Sequence, residues 1–239
     1  MDPPLHLMSN SIPTTIAAAF LVSFSALAGP YVWEFDKPEP DWVREGSKPP
    51  LPESSVIFEG GKASITARAG TWDRAKIATV NRDFGTGVYT WVVRIPAMGA
   101  NDMASVGAFI YRDDQHELDF EIGSGTAALR KKHGALPDEL LCYCTNQQFP
   151  FESSIFKIKG NARYTLSLEL RPRDGGKLLA RWAIDGRQIK ELATTIPADT
   201  RFGIHCSVEN LKFLGDHQPK RAHTAEFERV SFTPSASGK

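Results

Sequence analysis

The sequence predicts an all-β protein in which two antiparallel sheets pack face to face as a sandwich. Three features carry that expectation. From residue 31 onward, short runs rich in β-branched and aromatic residues recur at close spacing. Turn residues of the kind that positive φ demands separate these runs, and helical periodicity is almost absent.

The elements follow in order. Residues 31–35 form a short aromatic strand, and residues 37–53, with five prolines and many charges, form a surface loop. Residues 55–59 and 63–67 flank Gly60-Gly61 and read as a hairpin, followed by a strand at 75–80. The run 87–95 (GVYTWVVRI) has strong β propensity and is stopped by Pro96. Strands at 104–111 and 117–122 are split by a polar turn at 112–115, and residues 123–138 read as a long loop. Strands at 140–145, 164–171 and 178–184 follow, with turns at 173–176 and at Asp185-Gly186. Strands at 202–208 and 224–232 close a single domain, leaving a tail at 235–239.

Residues 1–28 read as a targeting segment. The stretch 14–28 (TTIAAAFLVSFSALA) is apolar and uncharged, and at 15 residues it suits a secretory signal better than a bilayer span. Ser25-Ala26-Leu27-Ala28 places cleavage after Ala28 and leaves 29–239 as the mature domain, secreted or periplasmic. The segment before the apolar run carries no Lys or Arg; Met8 is an alternative start, and a buried apolar helix is the alternative reading.

Lys plus Arg and Asp plus Glu both number 28, so no net field steers the chain to nucleic acid or an anionic membrane. Arg130-Lys131-Lys132 reads as a solvated loop, and a monomer is expected. Cys142 and Cys144 share a strand face; either one of them pairs with Cys206, or all three are small buried hydrophobes. His205, Cys206, His217 and His223 match no metal-ligand spacing.

The chemistry concentrates in residues 116–122 (HELDFEI), which alternate strictly. Side chains of a strand point to opposite faces, so Leu118, Phe120 and Ile122 face the core, while Glu117, Asp119 and Glu121 share the other face. Three neighbouring carboxylates repel one another, and the crowding raises at least one pKa. Glycoside hydrolysis uses such a set: one carboxylate as nucleophile and one protonated carboxyl as general acid, about 5–5.5 Å apart in a retaining enzyme. Cα atoms four residues apart on a flat strand are about 13 Å apart, so the two side chains must lean together over a twisted strand. A solvated acidic face or a calcium site also fits the bare pattern. His116 falls on the Leu118 face as a partly buried, satisfied histidine.

Glu117-Leu118-Asp119-Phe120-Glu121 resembles the signature E-[ILV]-D-x-E of family 16 of the glycoside hydrolases, the laminarinase, lichenase and xyloglucan-transglycosylase group. Gly87 to Pro96, the strand before the signature, Trp182-Ala183-Ile184-Asp185-Gly186 and the closing strand resemble the family in the same order over residues 31–234. The resemblance implies a concanavalin A-like β-jelly roll and retaining hydrolysis, or transglycosylation, of a β-linked polysaccharide such as a β-glucan or galactan. It assigns Glu117 as nucleophile, Asp119 as supporting carboxylate and Glu121 as acid/base. It also points to Tyr111 and Asn146 as cleft residues; Trp72, on a loop at the sandwich rim, is the candidate sugar platform. No cofactor is required, although this type of fold admits a structural calcium.

The chain departs from the family at Thr90 and Val92, where Glu and Arg are usual. It also lacks the Trp usual around 164–170 and the one near Ile110, so the cleft must be built differently. Two readings stand beside the enzyme: a non-catalytic carbohydrate-binding protein on the same scaffold, and a surface protein whose acids bind calcium.

Overall fold

The computed structural model describes residues 29–46 and 51–235. The segment read as a targeting signal lies outside the described residues. Two sheets form the sandwich expected from the sequence. In chain order the strands are β1 (Tyr31–Trp33), β2 (Trp42–Glu45), β3 (Val56–Glu59), β4 (Lys62–Ala67), β5 (Arg74–Thr79), β6 (Gly87–Ile95), β7 (Ala104–Asp113) and β8 (His116–Gly123). They continue as β9 (Glu139–Asn146), β10 (Glu152–Lys159), β11 (Ala162–Arg173), β12 (Lys177–Ile184), β13 (Arg187–Pro197), β14 (Gly203–Asn210) and β15 (His223–Pro234), with one α-helix, α1 (Ala127–His133).

One sheet runs β13-β12-β11-β6-β15-β4-β3, with β1 added on β15; the other runs β10-β9-β8-β7-β14-β5-β2. All named strand pairs are antiparallel. The inner faces meet in a single large core. Leu118, Phe120 and Ile122 of β8 enter it fully buried, together with Trp91 of β6 and Trp182 of β12. Burying such side chains stabilises by about 1.5–3 kcal/mol each, which is what fixes the register of β8.

The structure corrects the sequence reading in several places. The loop expected at 123–138 contains α1. Thr126 caps the helix by accepting from the Leu129 amide at 3.2 Å, and Gly134 ends it in the left-handed region at φ 58°. Arg130 is not a solvated loop residue: its guanidinium donates to the carbonyls of Ser124, Leu136 and Glu139 and staples the segment. The loop expected at 37–53 contains β2, and β10 and β13 are edge strands that the sequence reading left unassigned. The cysteines are all buried and free, so no pair with Cys206 forms. Gly60 and Gly61 make the expected hairpin turn with φ of 57° and 73°, a conformation that costs glycine nothing.

Candidate active site

The parity of β8 sets the site. Glu117, Asp119 and Glu121 project from the face of their sheet opposite the core and form the floor of a cleft of about 760 Å³. In register with them on β7 stand Tyr111, Phe109 and Gly107. On β9, Thr145 pairs with Asp119 and Tyr143 pairs with Glu121. Beyond β7, the same face of β14 presents His205, Ser207 and Glu209, and β5 presents Lys76 and Arg74.

Trp182 anchors this floor from the other sheet. Its indole N–H donates to the backbone carbonyl of Asp119 at 3.0 Å, and Lys190 Nζ lies 4.9 Å over its ring while donating to the Cys144 carbonyl at 2.8 Å. A core ring thereby fixes the middle of the acidic strand. Trp182→Phe keeps most of the ring but leaves the buried carbonyl one donor short, and is expected to cost about 1–3 kcal/mol. Trp182→Ala is expected to cost about 3–5 kcal/mol. Urea denaturation of the two variants checks both figures; equal stability of Trp182→Phe and the parent protein would contradict the anchor.

The electrostatics of the floor follow from burial and crowding. Burial pushes Glu117 up from 4.5 to about 7; the Lys76 charge opposes this and Glu209 adds to it. Burial, then the Glu117 charge, pushes Asp119 well above the ordinary carboxylate range, with Thr145 and Gln147 acting the other way. Burial, then the charges of Glu209, Asp119 and Glu117, does the same to Glu121. Burial and crowding therefore raise the proton affinity of all three carboxyls of the floor. Gln147 approaches Asp119 Oδ2 with its amide at 3.5 Å, and its backbone N–H donates to the Glu117 carbonyl at 3.1 Å.

The other sequence candidates fall differently. Tyr111 lines the cleft and donates to Asp114 at 2.9 Å. Asn146 is buried on the core side, because it follows Thr145 in the strand and so points the opposite way; Gln147, one residue on, reaches the cleft instead. Trp72 is half exposed beneath Lys212, whose Nζ is 5.3 Å from its ring, and it does not line the cleft. The exposed rings that do line it are Phe151 and Phe213, the latter edge-on to Tyr143 at 6.4 Å. His116 is partly buried and hydrogen-bonded to Asp113 at 2.7 Å, as expected. His205 lies in the cleft, whereas His217 and His223 both contact Asp102 at the side of the molecule.

The sequence reading missed Glu209, Lys76 and Arg74. Glu209 is buried, paired with Arg74 and, at 3.2 Å, with Lys76. A signal was present: His205, Ser207 and Glu209 alternate with Ile204, Cys206 and Val208, the same two-residue period as the acidic strand.

No protein-family model matches the chain, and no curated protein matches it by sequence. Solved structures do. A β-glucanase of Bacillus licheniformis is similar at a TM-score of 0.64 and 15% identity, over 88% of this chain and 100% of that one. A β-1,3-1,4-glucanase (lichenase) from a mouse hindgut metagenome gives 0.66 and 14%, over 87% and 100%. A Crh5 transglycosylase gives 0.65 and 14%, over 88% and 86%. At these identities the likeness establishes the fold: the jelly roll that the resemblance implied.

Proposed function

We propose that the protein is a glycoside hydrolase or transglycosylase acting on a β-linked glycan, with Glu117 as nucleophile, Asp119 as its supporting carboxylate and Glu121 as acid/base. The observation that carries the reading is the row of three carboxyls on one cleft floor, each raised above its ordinary range by burial and crowding. Ionised Glu117 attacks the anomeric carbon while Glu121 gives its proton to the glycosidic oxygen, and the carbon–oxygen bond breaks. The glycosyl ester on Glu117 is then released by water, whose proton passes to Glu121, or by a sugar hydroxyl, which gives transglycosylation. Both roles fall to carboxylates, so the reaction calls for no cofactor.

Two further features support a polyhydroxylated ligand. Asp119 Oδ1, Glu121 Oε1, Tyr143 Oη, Ser207 Oγ and both nitrogens of His205 are buried on the cleft face without a partner among the described residues. Buried polar atoms are rarely left unpaired. Phe151 and Phe213 supply exposed flat apolar faces along the cleft. The folds of the glucanases and of the transglycosylase are in accord with this reading.

Reducing-sugar release from a panel of β-glucans, xyloglucan, agars and carrageenans tests it. The expected result is release on one class, lost in Glu117→Gln. Silence across the panel, from a protein that one of the same polysaccharides still retards in an affinity gel, would replace the enzyme with a binding protein.

Gly107 supplies a second test. A Cβ there would stand 2.5 Å from Ser207 Oγ and 3.3 Å from Glu121 Oε2. The serine hydroxyl can rotate away, and the Glu121 carboxyl must give by a few tenths of an ångström. Gly107→Ala is expected to cost about 1–3 kcal/mol of stability and to lower kcat more than it raises KM, because it displaces the acid. An unchanged kcat would show that Glu121 has room to spare.

A further inference from the structure

His205 is the least explained side chain of the cleft. It is 2% exposed, stacks on Phe109 at 4.7 Å and meets the edge of Tyr111 at 5.7 Å. Neither ring nitrogen has a hydrogen-bond partner. The Nε2 edge turns toward Gly203, where a Cβ would come within 3.3 Å, and Nδ1 faces Glu45 Oε2 at 3.7 Å. That gap exceeds a hydrogen bond. An ion pair does not form across it either, because burial and then the charges of Arg82 and Lys76 hold the imidazole neutral, with its pKa down at about 3.

An aromatic ring that served only to pack against Phe109 would be better as phenylalanine, since two buried unpaired nitrogens cost stability. Their retention points to a ligand. A neutral imidazole offers one donor and one acceptor, the complement of a hydroxyl. Glu45, on edge strand β2 with 32% of its side chain exposed, accepts from Arg82 at 2.5 Å through Oε1 and leaves Oε2 facing the ring; an outward shift of this exposed pair admits one.

We propose that His205 and Glu45 together clamp a hydroxyl of the bound glycan, the hydroxyl accepting from Nδ1–H and donating to the Glu45 carboxylate. The inference rests on the glycan reading of the cleft. His205 is in register with Phe109, and Phe109 with Asp119, so the clamp lies two strands, about 10 Å, from the acidic row. It therefore reads a neighbouring sugar rather than the bond being cut. Glu45 accepts only from a free hydroxyl, so an oxygen blocked by a sulfate ester does not fit this position.

Affinity gels and kinetics with laminarin, mixed-linkage β-glucan and xyloglucan, with κ-carrageenan as the sulfated contrast, test the clamp in the mature protein. His205→Phe is expected to raise Kd and KM for the neutral glycan about tenfold or more, to lower kcat far less, and to leave Tm equal or higher. Should that variant fail to fold, Glu45→Ala gives the same rise from the exposed side. Where both fold, the double variant binds no more weakly than the weaker single one. Parent-like binding by His205→Phe and Glu45→Ala, or tighter binding of κ-carrageenan than of every neutral glycan, overturns the clamp. Turnover that depends on Glu117 with such unaffected binding overturns the clamp alone. Retardation weakened in His205→Phe without any turnover in the parent protein supports the clamp and overturns the catalytic reading. A parent protein that none of the four polysaccharides retards overturns both.

Discussion

Glu117→Gln is expected to abolish turnover, by on the order of 10³-fold or more, in a protein that folds as before or better. The substitution is nearly isosteric and removes a charge that burial disfavours. The move from 4.5 to about 7 corresponds to about 3–4 kcal/mol at 1.4 kcal/mol per tenfold change in proton affinity. The sign follows from linkage: a carboxyl whose folded pKa is raised stabilises the protonated fold, and that stability is lost as pH rises from about 4.5 through about 7. Glu117→Gln should therefore raise Tm at pH 8 and leave it nearly unchanged at pH 4. Replacing Glu117 by Ala opens room for a small anion. Added azide should then attack the anomeric carbon from the vacated side and restore part of the turnover as a glycosyl azide. A variant that turns over as the parent protein does would remove Glu117 from the chemistry.

The second large effect is on pH dependence. Glu117 must be ionised to attack, so activity should fall about tenfold per pH step below about 7. Glu121 must keep its proton, and its carboxyl is held well above the ordinary range, first by burial and next by Glu209. The descending limb therefore lies on the alkaline side of an ordinary glutamic acid. Glu209 raises both acids. Glu209→Gln removes that charge, so both limbs should move to lower pH, with the ascending limb visibly below 7. A pH–rate profile of kcat/KM for the two proteins checks this; an ascending limb near 4.5 in the parent protein would contradict the buried, crowded floor.

The acidic strand was legible because its faces differ sharply: Leu118, Phe120 and Ile122 against Glu117, Asp119 and Glu121 leave one register possible. Trp91, which alternates with Thr90 and Val92, follows the same parity and is fully buried in the core. Contrast was missing elsewhere. β13 sits at a sheet edge, with most of its residues exposed or half-exposed on both faces, so its polar sequence carries no two-residue period. α1 has no buried residue, so it lacks an apolar face, and its signals are its caps, Thr126 and Gly134, and its basic last turn. The site residues brought in from β14 and β5 depend on strand order, which is a tertiary fact. His205 and Lys76 reach the cleft only because β14 pairs with both β7 and β5. Trp72 shows the converse: a loop aromatic at the rim of a sandwich need not face its cleft, and here Phe151 and Phe213 do.

The proposed reaction passes through a covalent bond between Glu117 and the sugar. The direct measurement is mass spectrometry of the protein, quenched after reaction with a 2-deoxy-2-fluoro β-glycoside of the sugar that the panel identifies. The fluorine slows release of the ester more than its formation, so the intermediate accumulates. The predicted result is a mass gain of one fluoroglycosyl unit, carried by the peptide that contains Glu117 and absent from Glu117→Gln. Turnover of the same glycan without any adduct, or an adduct on another residue, would contradict it.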